Sequence, residues 1–117
     1  MADLLSIEEL PHGFEYPREF VRVVELGLVD LEPWQIIQGN LLKRRHRGLN
    51  ERFPERSLVP FAARQDNDDV ACWDLDMGAP HVSIVHDFAS PGWEQRGVFA
   101  DFYAWLRQAV EDLIEFE

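Results

Sequence analysis

Apolar positions recur along this chain first with helical spacing and then with strand spacing. Pro17 suits a first helical position, and Phe20, Val23, Val24 and Leu28 fall at i, i+3, i+4 and i+8. That spacing predicts an amphipathic helix over residues 17–27, with Gly27 near its end. Upstream, Ser6 and Glu9 have the spacing of a capping box, but Pro11 stops the segment, which leaves residues 1–16 as a short docked helix or a loose arm. Pro33–Ile37 is a short apolar run bounded by Gln38, Gly39 and Asn40; it reads as an edge strand or as one end of a continuous helix, and the strand is preferred. Asn40 then caps a second helix through Arg47, with Leu41, Leu42 and Leu49 inward, Lys43, Arg44 and Arg45 outward, and Gly48 ending it.

The period changes in the second half. Ser57–Ala63, Val70–Leu75 and His81–Phe88 are strand-length runs rich in Val, Ile, Phe and Trp, separated by the turn-forming stretches 64–69 and 76–80. They predict an antiparallel meander of at least three strands. Val98, Phe99, Phe102, Trp105, Leu106, Ala109, Val110 and Leu113 then follow helical spacing, which predicts a long C-terminal helix. The expected fold is α+β, an antiparallel sheet packed against N-terminal helices and that last helix.

With 117 residues there is room for a single domain spanning 1–117, and 46% hydrophobic content excludes a disordered chain. Eleven Lys plus Arg against 22 Asp plus Glu give a formal charge of -11, which repels phosphate backbones and anionic lipid heads, so no direct nucleic-acid or membrane partner is expected. Charge is also unevenly distributed. Residues 41–64 hold 7 bases and 2 acids, whereas residues 65–117 hold 12 acids and 2 bases. The lone Cys72 cannot form an internal disulfide, and neither a signal peptide nor a transmembrane run is apparent; both point to the cytoplasm.

Several stretches in combination resemble one family. Leu58-Val59-Pro60-Phe61-Ala62, the acidic turn Asp66-Asn67-Asp68-Asp69, Ala71-Cys72-Trp73-Asp74, Val85-His86-Asp87-Phe88 and the aromatic helix Phe99–Leu106 are similar to the Smi/Knr-type branch of the SUKH superfamily. The resemblance spans residues 17–113. It implies an α+β fold without enzymatic activity or cofactor. For bacterial members it implies an immunity protein that blocks a secreted toxin, often a nuclease; for fungal members, regulation through protein contacts. Where many members have a Gly-rich turn before an Asp, this chain has Asp66-Asn67-Asp68-Asp69.

Asp66, Asp68 and Asp69 crowd three carboxylates into four residues, and Asp74 and Asp76 follow. Such an array could occupy the Lys and Arg side chains that a nuclease presents to phosphates, steering association and blocking substrate; tight-turn chemistry alone also places Asp and Asn there. Trp34 and Trp93 lie in connecting segments and are candidate anchors, whereas Trp73 and Trp105 fit the core. A calcium loop is not expected, because Val70 stands at its fifth position and Met77 at its twelfth. Cys72, His86 and Asp87 offer a nucleophile, a base and an orienter, but strand alternation sends Asp87 away from the His86 face. The basic residues within 43–56 pair with acids of this chain or, through a homodimer, with the acidic surface of a second copy. The expected activity is therefore non-enzymatic binding of a protein, such as a basic toxin domain, by stoichiometric occlusion; a regulatory module or a small thiol or metal enzyme are the alternatives.

Overall fold

In the computed structural model, which describes residues 3–78 and 80–116, six strands form one antiparallel sheet in chain order. Helix α1 (Arg18–Glu25) precedes the hairpin β1 (Asp30–Leu31) and β2 (Trp34–Ile36), which turns through a cis Glu32–Pro33 bond. Helix α2 (Gly39–Arg52) leads into β3 (Leu58–Arg64), β4 (Asp69–Asp74), β5 (Val82–His86) and β6 (Gln95–Phe99), and helix α3 (Phe102–Glu115) closes the chain. The fold is α+β, as the pattern predicts.

Strand alternation divides the apolar residues between two cores. Along β4, Ala71 and Trp73 face the larger core with Phe20 of α1, Phe61 of β3 and Phe102 and Trp105 of α3. Val70 and Cys72 face the other side, against Leu49 and Phe53 from the α2 segment, Leu58 and Val85. Helices thus cover both faces of the sheet. In the larger core Phe20 meets Trp73, and Phe61 meets Trp105, edge to face at 4.9 Å, an arrangement worth ~0.5–1.5 kcal/mol per pair beyond area burial. The N-terminal segment is docked rather than loose. Leu5 is buried, its N–H donates to the Tyr16 hydroxyl at 3.2 Å, and Phe14 and Tyr16 pack on Trp73. The Ser6 N–H donates to Glu9 Oε1 at 2.9 Å, half of the expected capping box.

Three element boundaries differ from expectation. Gly48 does not end α2, which continues to Arg52. A glycine inside a helix costs ~1 kcal/mol relative to alanine, but a Cβ at Gly48 would collide with the Arg52 guanidinium, so its absence lets Arg52 fold along the helix to a buried carboxylate. Asn40 lies within that helix and is not its cap. Val98 and Phe99 belong to β6, paired with Ser83 and Val82, not to the last helix. Helix α3 starts after Asp101, whose Oδ1 accepts the Ala104 N–H at 2.8 Å, an N-cap that satisfies one orphan donor.

Candidate protein-binding site

Three arginines of the basic segment turn inward and hold the face of the sheet under α2. Asp87, fully buried just beyond β5, accepts from Arg52 Nε at 2.6 Å, Arg52 Nη2 at 2.8 Å, Arg45 Nη1 at 2.9 Å and the Phe88 N–H at 3.0 Å. Arg56 bridges Asp74 and Glu94, both at 2.8 Å, and Ser83 Oγ donates to the same Asp74 oxygen at 2.7 Å. Burial alone would push the Glu94 carboxyl up, but its own backbone N–H, the Arg56 guanidinium and the Gly92 N–H together hold it below the usual carboxylate range. The expected pairing of the basic residues with acids of the same chain therefore holds for Arg45, Arg52 and Arg56. Lys43, Arg44 and Arg47 make no ion pair among the described residues.

The five aspartates singled out by sequence do not form one array. Asp66, Asp68 and Asp69 sit at the β3–β4 turn, while Asp74 and Asp76 lie at the other end of β4, about 17 Å away at ~3.3 Å per residue. Asp74 is 2% exposed and spent on Arg56 and Ser83, so it cannot meet a partner; Asp76 accepts the Ser57 N–H at 3.0 Å. At the turn, Arg64 grips Asp66 through two bonds of 2.8 and 2.9 Å and holds its carboxyl below the ordinary value, yet Asp66 stays exposed. Asp69 meets His86 Nδ1 at 2.8 Å. Asn67 Oδ1 accepts the Asp69 N–H at 2.8 Å, a side-chain turn bond that shapes the loop. Asp68 is exposed and its carboxylate has no hydrogen-bond partner among the described residues.

The anchor candidates also separate. Trp34 is 4% exposed, packs edge to face on Trp105 and donates its indole N–H to Asp112 at 2.9 Å. It lies in a strand, not a connecting segment, and belongs to the core. Trp93 is 79% exposed in the β5–β6 loop. That loop leaves the same end of the sheet as the acidic turn, and the two are joined by the Asp87 N–H donating to the Asp68 carbonyl at 2.9 Å. The β1–β2 turn reaches this end as well, through the Gln65 N–H to the Pro33 carbonyl at 2.7 Å.

Sequence reasoning missed Phe88. It is 63% exposed, adopts φ 70°, and lies under the Arg52 guanidinium at 3.9 Å from its ring centre. A left-handed conformation costs a residue with a Cβ roughly 1–2 kcal/mol, here held by the cation–π contact and the Asp87 cap. Nothing local in the sequence signals it, since its conformation depends on arginines 36 and more residues earlier.

The site offers little for covalent chemistry. Cys72 is fully buried and desolvation pushes its thiol far up, so no thiolate is available near neutrality. His86 pairs with Asp69, while Asp87 turns to α2, as strand alternation anticipates. Among the described residues no group of three or more His, Cys, Asp or Glu is placed to hold a metal ion, and no helix is long and apolar enough to cross a membrane. No family model, curated protein or solved structure matches the chain.

Proposed function

We propose that this chain is a cytoplasmic, non-enzymatic protein-binding domain of the SUKH type, acting as an immunity protein that masks the cationic surface of a bacterial toxin. The motif resemblance supports the class. The observation that carries the mechanism is the joining, at one end of the sheet, of the exposed Asp66 and Asp68 with the loop presenting Trp93. Carboxylates there accelerate approach of a Lys- and Arg-rich face, and the indole supplies contact area once water is expelled. This acidic end is narrower than the sequence suggests, because Asp74 and Trp34 are withdrawn from it.

The test is association with a purified nuclease toxin domain encoded beside this gene. Stopped-flow measurement should give an on-rate that falls steeply between low and physiological salt, and co-expression should restore growth of cells making the toxin. An on-rate indifferent to salt removes the electrostatic mechanism. Failure to bind or protect, with binding to a housekeeping protein instead, replaces immunity by the regulatory reading.

A further inference from the structure

Two exposed apolar patches of the surface carry opposite charge. The first lies where α2 meets Phe88. Leu41, 41% exposed, and Phe88 form with Arg44 and Arg45 an open recess of ≈250 Å³; Arg45 is paired to Asp87, while Arg44 is exposed and makes no ion pair among the described residues. The second is the outer side of the last turns of α3. Val110, Leu113 and Ile114, at i, i+3 and i+4, are 39, 40 and 69% exposed, flanked by the exposed carboxylates of Glu111 and Glu115, with Arg107 beside Val110 one turn earlier, so that the acids outnumber the base two to one.

A helix of this kind docks by laying its apolar stripe into a groove, with flanking charges choosing the partner. From the opposite charges and matching apolar character we infer that the α3 stripe of one copy binds the α2–Phe88 recess of another, so that the protein self-associates through unlike surfaces. The surrounding charge of -11 makes two copies repel in general. The α2 patch joins exposed apolar area to the unpaired cation Arg44, and the acidic α3 stripe is its complement. Contact through these two surfaces places attraction where the molecules touch.

Sedimentation velocity and light scattering on the full chain test this without a toxin, so the result is independent of the proposed function. Self-association should appear with rising concentration at physiological salt, where the long-range repulsion between the acidic copies is screened. Arg44→Glu and Ile114→Asp alter exposed positions on the two different patches, and each should weaken association about tenfold or more. Mixing the two variants should restore heterodimers, since one intact recess then meets one intact stripe. Circular dichroism melts of both variants confirm that the fold is retained; should Ile114→Asp unfold, Glu111→Lys replaces it. A chain that stays monomeric to about 1 mM overturns the inference and leaves the recess to a foreign acidic segment. Association that survives either substitution overturns it too, because the copies would then meet through other surfaces.

Discussion

Replacing Asp87 by asparagine keeps the shape of the side chain and removes the charge on which α2 is anchored. Its two oxygens accept four bonds, three from Arg45 and Arg52 and one from the Phe88 N–H. An amide can present an acceptor on one side only; the other side becomes an N–H group facing guanidinium donors. At ~1.5–3 kcal/mol for each charge-assisted bond, two lost bonds would cost ~3–6 kcal/mol. The arginine side chains are 20 and 30% exposed and recover part of this from water, so about 3 kcal/mol is expected, at the lower bound for breaking a buried pair. With an unfolding entropy of ~2.1 cal/mol/K per residue, a chain of this length should lose about 12 °C in Tm. Thermal and urea melts at neutral pH measure it. Besides Leu42 in the larger core, α2 rests on the small second core of Leu49, Phe53, Leu58, Val70, Cys72 and Val85, so amide exchange in α2 should accelerate more than in α3. A Tm loss under about 3 °C, or equal acceleration of the two helices, would refute the view that this carboxylate ties α2 to the sheet.

Other consequences follow from the same geometry. Cys72 should resist a thiol reagent in the native protein at pH 8 and react after unfolding, and rapid native labelling would reopen a thiol enzyme. Asp66 and Glu94 have lowered folded pKa values, so their contribution is present above the ordinary values of 3.8 and 4.5 and is lost as pH falls through the folded ones. Urea midpoints should therefore decline below about pH 4.5; with Arg56→Met this decline should shrink as Glu94 loses its partner. Asp66→Lys with Asp68→Lys should slow toxin association about tenfold or more and flatten its salt dependence, whereas Trp93→Ala should mainly speed dissociation. Both variants leave exposed positions, so melting temperatures should change by only a few degrees.

The strand meander was legible because Val, Ile, Phe and Trp runs of strand length were bounded by turn residues. Strand β6 was not, since Val98 and Phe99 fit a helical period as well as a strand. Asp101 was the available signal, because an N-cap there must start the helix after it. Trp34 could also have been read as internal: in the preferred strand, Trp34 and Ile36 share the face opposite Gln35. Alternation likewise placed Asp74 on the side of Cys72, but its partner Arg56 is 18 positions away and no local rule supplies that pairing. Gly48 shows the reverse problem. Its stop signal is a local preference, and the bond of Arg52 to Asp87, 35 residues apart, outweighs it.

These long-range pairs also decide how the charge is displayed. Among the described residues Asp74, Asp87 and Glu94 are the buried acids, and they take Arg45, Arg52 and Arg56 from the basic segment. Equal numbers of each sign are paired, so the net charge stays at -11 while the remaining cations of that stretch divide in two. Arg64 stays at the acidic end, clamped on Asp66, and Lys43, Arg44 and Arg47 stay on α2. The acidic end and the α2–Phe88 recess are thus electrically opposite surfaces that adjoin through the β5–β6 loop, which carries both Phe88 and Trp93. Salt should weaken binding of a basic toxin, whereas Arg44→Glu should weaken only self-association. Equal losses in both would mean that the two surfaces act as one.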